Sequence, residues 1–221
     1  MQHLGIFAKY WEPGTVKTRL AAAIGRNRAS NLYRSFLECL IERFARSGER
    51  RELCYWPKTR HEEFAELAPG DWMLRPQSDG DLGMRMHLFF TEAFREGNQR
   101  VVLIGSDSPT LPVELVHEAF ERLNHHDVVL GPSEDGGYYL VGSSLRPPPI
   151  FGRIDWSTPS VWEQTVGQLQ AKGCSYAQLP RWYDVDELKD LERLRLELEH
   201  LASTDRGWSD LRDAVDEALY G

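Results

Sequence analysis

The residues with the clearest chemical potential follow the first apolar run of the chain. Residues 9–19 read KYWEPGTVKTR and place Gly14, Lys17 and Arg19 in one short loop. Backbone N–H groups at the start of a helix, with two cationic side chains beside them, suit a pyrophosphate through both dipole and charge. The loop lacks the second glycine of a Walker A motif, so a solvated basic surface is an equally good interpretation.

A second candidate follows the apolar stretch 101–104, where residues 105–109 read GSDSP. A carboxylate at the end of a buried strand, here Asp107 beside Ser106, can hold Mg²⁺ or Mn²⁺ against phosphates, because these cations prefer oxygen ligands. Asp and Ser before a proline also form turns readily. The segment therefore predicts either a cation site or a turn.

A third candidate is the segment 131–140, GPSEDGGYYL. Its consecutive glycines, Gly136 and Gly137, permit close approach of the backbone to a ligand, and Asp135 stands beside them. The Asp-Gly pair between two β-rich runs is also a strong hairpin signal. The two interpretations are compatible.

The fourth candidate is the acidic pair Asp184 and Asp186. Residues two apart in an extended segment face the same side, so both carboxylates can point at one cation. The alternative is that Asp186 only caps the helix predicted to start at residue 187. That alternative is stronger for Asp186 than for Asp184.

These candidates lie between alternating predicted strands and helices. The pattern predicts strands over 3–8, 53–56, 101–104, 127–130, 138–141 and 175–179, and helices over 28–47, 82–96, 113–123, 160–171 and 187–201. Such alternation indicates an α/β fold with a largely parallel sheet covered by helices. Open sheets of this kind bind ligands at the carboxyl ends of their strands, where the candidate segments fall.

Length, composition and charge narrow the class of protein. With 221 residues, of which 41 % are hydrophobic, residues 1–221 are expected to form one domain with a peripheral helix after residue 203. The net charge of -8 argues against a nucleic-acid partner. No apolar run is long enough for a signal peptide or a membrane span, so we expect a cytoplasmic protein. The oligomeric state is not encoded in any recognisable pattern.

The three cysteines are widely spaced. They are Cys39, Cys54 and Cys174, and no two of them form a Cys-x-x-Cys pair. This spacing disfavours both a disulfide framework and a structural zinc site. We expect all three to be buried as small apolar side chains.

Together the segments resemble a family of bacterial GT-A-like transferases, often labelled glycosyltransferases, some of whose members are associated with arsenosugar biosynthesis. The matching stretches are 9–20, 80–86, 105–109, 131–140, 156–158 and 183–186. The first stretch is also similar to the lysine-rich opening of phospholactate guanylyltransferases, and the fold is shared with molybdenum-cofactor guanylyltransferases. The chain departs from the family at Trp11, where proline is usual, and at Glu187-Leu188, where Thr-Pro is usual.

The resemblance implies a Rossmann-like GT-A fold, with a mixed, mostly parallel sheet and helices on both faces. It implies a metal-dependent transferase that moves a group from a nucleotide or nucleotide-sugar donor to a small-molecule acceptor. Glycosyl transfer from a nucleoside-diphosphate sugar is the leading hypothesis. The alternatives are nucleotidyl transfer, which releases pyrophosphate from a nucleoside triphosphate, and a non-catalytic nucleotide-binding module.

The resemblance also implies roles for individual residues. Asp107 and an acidic residue of the pair Asp184 and Asp186 would bind Mg²⁺ or Mn²⁺, and Asp135 would orient the acceptor or a metal-bound water. The remaining residues are expected to bind the nucleotide: Lys9, Lys17 and Arg19 at the phosphates, Asp81 and Arg85 at a helix start that lines the pocket, and Gly14, Ser106, Gly136 and Gly137 in the loops beside it.

Overall fold

A computed structural model describes residues 1–144 and 146–221, with side chains for all of these except residues 203, 204 and 206. The strands are β1 (Gln2–Lys9), β2 (Arg50–Trp56), β3 (Trp72–Pro76), β4 (Arg100–Ile104), β5 (Val128–Pro132), β6 (Tyr138–Ser144) and β7 (Tyr176–Gln178). The α-helices are α1 (Thr18–Ile24), α2 (Arg26–Arg43), α3 (His61–Leu67), α4 (Leu82–Arg95), α5 (Val113–Arg122), α6 (Val161–Ala171), α7 (Leu188–Thr204) and α8 (Ser209–Tyr220). Single 3-10 turns span Lys58–Arg60 and Arg206–Trp208.

The strands form one seven-stranded sheet in the order β3-β2-β1-β4-β6-β5-β7. β6 runs antiparallel to β4 and β5, and the other neighbouring pairs are parallel. The predicted hairpin at the two glycines is therefore confirmed. β2 and β3 lie on one side of β1, whereas β4 lies on its other side. The strand order therefore reverses between β1 and β4, and the carboxyl ends of these two strands form the switch point where such sheets open a crevice.

Helices cover both faces of the sheet, because the strand side chains alternate between two apolar clusters. Leu4, Ile6 and Ala8 of β1 belong to the larger cluster, which α2, α5, α7 and α8 cover. Phe7 packs against the smaller cluster, built on α4 and α6. The predicted fold class, a mixed and mostly parallel sheet between two helical layers, is confirmed.

Three elements were missing from the sequence prediction: α1, α3 and β3. α1 buries only Leu20 among its described residues, so it lacks a clear apolar face. β3 carries Arg75 and ends at Pro76, neither typical of a strand interior. Weak periodicity explains the omission of short elements.

The C-terminal helix is less peripheral than expected. Leu211, Val215 and Ala218 of α8 are buried in the larger cluster, where α8 lies against α2 and α7.

The predicted burial of all three cysteines is wrong for Cys174, whose side chain is partly exposed, while Cys39 and Cys54 are buried. Within the described ranges, no helix combines the length and apolarity that a membrane crossing requires.

Candidate functional site

A cavity of about 740 Å³ opens at the carboxyl ends of β1 and β4. The residues singled out from sequence that line it are Lys9, Lys17, Arg19, Asp81, Arg85, Ser106, Asp107, Asp135, Gly137, Asp184 and Asp186. Segments from both ends of the chain thus meet at the switch point, where the sheet topology places a ligand site. Gly14 and Gly136 are not part of the lining.

Lys17 stands at the centre of this arrangement. It is the residue before α1 and has a left-handed backbone, with φ 47° and ψ 43°. A residue other than glycine pays about 1 kcal/mol or more for that conformation, which persists where surrounding contacts hold it. Its side chain is only 2 % exposed, and the ammonium lies 5.9 Å from the ring centre of Tyr33 and 5.6 Å from that of Phe36.

The ammonium of Lys17 pairs with two carboxylates that are distant in sequence. It contacts Oδ1 of Asp107, and it donates a hydrogen bond to Oδ1 of Asp186 over 3.1 Å. Burial alone would lower the pKa of Lys17, but the charges and hydrogen bonds of Asp107 and Asp186 outweigh it and raise the pKa above its ordinary value. Lys17 is therefore positively charged at neutral pH.

Asp107 and Asp186 keep much of their surface open to the cavity. Their side chains are 48 % and 39 % exposed. The backbone N–H of Val185 donates to the carbonyl of Asp107 over 2.9 Å, which ties the loop after β4 to the segment before α7. Both carboxylates are thus held at one place yet can still accept further partners.

The helix-cap alternative for Asp186 is wrong. Glu187 is the capping residue of α7, in a reciprocal capping box with Asp190. Glu187 thus caps the start of α7 at the position where the family usually has Thr-Pro. The carboxylate of Asp186 is directed to Lys17.

Asp184 faces different partners from Asp186. Its Oδ1 accepts a hydrogen bond from the hydroxyl of Ser108 over 2.7 Å, and its Oδ2 accepts one from Ser133. Burial raises the pKa of Asp184 to about 6, with the charge of Asp107 adding to the rise and the serine hydrogen bonds opposing it. Asp184 and Asp186 both line the cavity, but Asp186 is joined to Asp107 through Lys17 whereas Asp184 is held by the two serines, so the binding of one cation by both members of the pair stays a prediction.

Tyr33 links the ends of β1 and β4 and was not predicted. Its hydroxyl accepts from the backbone N–H of Lys9 over 3.1 Å and lies 2.7 Å from the hydroxyl of Ser106. Burial, followed by the charge of Asp107, raises the pKa of Tyr33 to about 12, so the hydroxyl stays protonated. Tyr33 lies within the helix predicted over residues 28–47, and nothing in that pattern marked its hydroxyl as part of a site.

The start of α4 forms another part of the cavity wall. Asp81 caps the helix by accepting from the backbone N–H of Met84 over 2.8 Å. The guanidinium of Arg85 donates to the carbonyl of Gly80 over 3.0 Å and lies 4.6 Å from the ring centre of Trp56. Asp81 is therefore engaged in the helix cap, while Arg85 is held at the wall by its neighbours.

Two basic residues of the first loop lie at the rim. Lys9 is exposed, and the side chain of Arg19 is 72 % exposed, 4.0 Å from Glu187. The unusual Trp11 packs edge to face on Phe64, with ring centres 5.3 Å apart. Trp11, which stands where the family usually has proline, is thus accommodated by aromatic packing on α3.

The glycine predictions divide into three cases. Gly137 lines the cavity, and its N–H donates to Oδ1 of Asp135 over 2.9 Å. Gly136 has φ +93°, and a Cβ there would lie 2.4 Å from the carbonyl oxygen of Pro159, so this glycine serves a tight packing contact behind the cavity. Gly14, with φ +89°, lies beside the side chain of Arg26. Gly14 and Gly136 lie outside the lining of the cavity, and their role in ligand binding stays a prediction.

Asp107 and Asp186 suit a divalent cation whose remaining coordination positions are filled by oxygens of a bound ligand. Mg²⁺ in phosphate-binding sites is commonly held by one or two carboxylates together with substrate phosphates. Asp107 and Asp186 offer two such carboxylates on an open cavity. Over the described chain, no group of three or more His, Cys, Asp or Glu side chains is arranged to hold a metal ion. The donor set therefore suits Mg²⁺ or Mn²⁺ bound with phosphate oxygens, and not an all-protein cage.

Comparison with solved structures identifies proteins of the same fold. A protein of Desulfovibrio desulfuricans G20, described as a "putative nucleotide-diphospho-sugar transferase", is 36 % identical, with a TM-score of 0.90 over 99 % of this chain and 96 % of that one. A cytidylyltransferase of Leptospira borgpetersenii gives a TM-score of 0.58 at 13 % identity, over 98 % and 94 % of the two chains. An inositol-1-phosphate CTP transferase of T. maritima gives 0.57 at 12 % identity, over 100 % and 98 %.

The last two likenesses, at such low identity, establish the fold alone. All three proteins carry the name of a transferase, in line with the class expected from sequence. No curated protein sequence matches the chain significantly. A family profile does match, over residues 40–158, which is more than half of the chain. With that match and the relationship to the D. desulfuricans protein, the chain belongs to the DUF2064 family, described as uncharacterized proteins conserved in bacteria.

Proposed function

We propose that this protein is a metal-dependent transferase with a nucleotide-activated donor, and that it moves a sugar from a nucleoside-diphosphate sugar to a small-molecule acceptor. The observation that carries the proposal is the meeting of Asp107 and Asp186 on the ammonium of Lys17, inside the cavity at the switch point of the sheet. The names of the related structures support a nucleotide-using transferase.

The donor phosphates are assigned to the side of the cavity between β1 and β4. Asp107 and Asp186 would hold the cation, which when bound supplies a positive charge against the negative charge that grows on the leaving phosphates. Lys17 adds a second charge from within the wall, and Lys9 and Arg19 supply flexible charges at the rim. Fixed charges of this kind lower the barrier because they need little reorganisation during the reaction.

The acceptor is assigned to the hairpin side of the cavity. Oδ1 of Asp135 accepts from the N–H of Gly137, which fixes the carboxylate, while Oδ2, for which the described residues show no hydrogen-bond donor, can accept one from an acceptor hydroxyl. Tyr138 and Thr158 line the same wall. Asp135 would thus orient the attacking oxygen and take up its proton.

Nucleotidyl transfer is the alternative that the same residues permit. A nucleoside triphosphate would use the same cation and basic residues, but attack would fall on the α-phosphate and pyrophosphate would leave. The two reactions differ in their product, which makes them simple to separate. A non-catalytic binding module would release neither product.

The test is a donor panel with product analysis. The wild-type protein is incubated with nucleoside triphosphates and with nucleotide-sugars, with Mg²⁺ or Mn²⁺ and again with a chelator, and released pyrophosphate and nucleoside diphosphate are measured. We expect nucleoside diphosphate from one nucleotide-sugar, only with the cation, and strongly reduced release by the variant Asp107→Asn. Pyrophosphate alone would assign nucleotidyl transfer, and turnover that persists with the chelator would remove the metal from the proposal.

A further inference from the structure

We propose that Lys17 is the internal counter-ion of the cation site, and that it couples cation binding to donor binding. In the free protein its ammonium pairs with both Asp107 and Asp186. When a cation takes the two carboxylates, the ammonium is released to the phosphates of the donor. The inference rests on the proposed function, which assigns these carboxylates to a cation.

The position of Lys17 supports this role. Its ammonium is bonded to Oδ1 of Asp107 and Oδ1 of Asp186, so it lies where a cation shared by the two carboxylates would bind. The side chain is 2 % exposed and its ammonium lies beside the rings of Tyr33 and Phe36, so it stays in the wall of the cavity next to the two carboxylates. A cation that binds both carboxylates must therefore compete with this ammonium.

The net charge of the cluster predicts how cation binding changes its attraction for phosphate. With Lys17 alone, the two carboxylates leave one net negative charge, which repels phosphate. With a divalent cation added, the same cluster carries one net positive charge, which attracts phosphate. Cation and donor should therefore strengthen each other's binding, since coupling between two ligands is reciprocal.

Arg19 provides the matched comparison within the same loop. It carries the same charge as Lys17 and also lines the cavity, but its side chain is 72 % exposed and pairs with Glu187 instead of either aspartate. A general effect of positive charge near the site should appear on removal of either residue. Competition for the carboxylates should appear only on removal of Lys17.

The experiment measures the affinity of the donor-free protein for Mn²⁺, from the free-ion signal in electron paramagnetic resonance. The variants are Lys17→Met, Lys17→Gln, Arg19→Met and Asp107→Asn, each compared with wild type after its thermal unfolding has been recorded. Loss of the competing ammonium should tighten Mn²⁺ binding roughly tenfold in Lys17→Met, within the usual range of coupling between sites. Arg19→Met should stay within about twofold of wild type, a surface-charge effect.

Lys17→Gln removes the charge but keeps a hydrogen-bond donor, so it tests the idea if Lys17→Met does not fold. Lys17 variants that bind Mn²⁺ no more tightly than wild type, while Asp107→Asn weakens binding, would overturn the counter-ion role and leave the cation site intact. An equal gain in Arg19→Met would also overturn it. Absence of Mn²⁺ binding in every variant, including Lys17→Met and Lys17→Gln, would also overturn the counter-ion role, whereas the metal dependence of the proposed function is decided separately by the chelator arm of the donor panel.

Discussion

Two charge clusters of the molecule use buried charge in opposite ways. The Lys17 cluster, formed by Lys17, Asp107 and Asp186, buries its cation and leaves its carboxylates 48 % and 39 % exposed on the large cavity. The Arg75 network lies between β2, β3 and α4 and consists of His3, Glu52, Arg75, Glu92 and Glu96. Here the carboxylate of Glu52 is the buried member, with 1 % exposure.

The difference lies in what remains available. Arg75 pairs with Glu52 over 2.6 Å, with Glu92 over 2.9 Å and with Glu96 over 2.7 Å, so all three nitrogens of its guanidinium are bonded to carboxylates of the protein. The Lys17 cluster has carboxylate surface left for a ligand. We infer that loss of charge from the Arg75 network lowers stability, whereas loss from the Lys17 cluster lowers activity with little change in stability.

The largest effect that would sharpen this contrast is expected for Asp186→Asn. It halves the charge offered to the cation and should reduce the transfer rate roughly 1,000-fold, the scale of losing one fixed electrostatic contact in a reaction site. Steady-state product release measures the rate. Glu134→Gln is the matched control, because Glu134 lies on the β5–β6 hairpin and forms an ion pair with the exposed Arg193. A large fall in the melting temperature of Asp186→Asn would break the contrast.

Arg75→Met should have the next largest effect, on stability. The variant leaves Glu52 buried beside His3 without its cation, and removal of one partner from a buried pair costs about 3 kcal/mol in the free energy of unfolding. Urea denaturation measures it. Arg50→Met is the control, since Arg50 pairs with Glu96 over 2.7 Å and should cost less than about 1 kcal/mol. Equal losses in the two variants would contradict the special role of Arg75.

Asp184 should behave as a structural member of the site, with an intermediate effect. Asp184→Ala deprives the hydroxyls of Ser108 and Ser133 of their acceptor and should cost about 2 kcal/mol in the free energy of unfolding. Asp184→Asn keeps one acceptor oxygen, so its cost should be below about 1 kcal/mol. Denaturation of the two variants side by side checks this. If Asp184→Asn unfolded as easily as Asp184→Ala, the negative charge of Asp184 would matter more than its hydrogen bonds.

The smallest expected effect is a pH dependence due to Glu52. Burial tends to raise the pKa of Glu52, but hydrogen bonds and charges from His3 and Arg75 outweigh it and lower the pKa below the ordinary value of 4.5. Because the folded-state pKa is depressed, the stabilisation is complete above about pH 4.5 and is lost as the pH falls through the lower folded-state value. Urea denaturation from pH 6 downward should show this loss in wild type and a weaker pH dependence in Glu52→Gln. Identical slopes would rule out Glu52 as the source.

The sequence predicted the alternation of strands and helices and the segments that meet at the sheet edge, because both follow from local periodicity and from sheet topology. It favoured Asp184 over Asp186 as a cation ligand, whereas the structure joins Asp186 to Lys17 and holds Asp184 between Ser108 and Ser133, which are distant in sequence. The role of Lys17 was equally hidden, since it requires a left-handed backbone and two carboxylates from other loops. Contacts between distant side chains need three-dimensional packing, which periodicity does not encode.

The reversed direction of β6 has a consequence for how such a site can diversify. Because β6 runs against β4 and β5, the short connection after β5 turns back at the cavity and delivers Asp135 there without a crossover helix. A hairpin can be lengthened or exchanged without shifting the strands on either side of it. The hairpin side of the cavity can therefore accept insertions without moving the first loop, which supplies Lys17 to the same cavity.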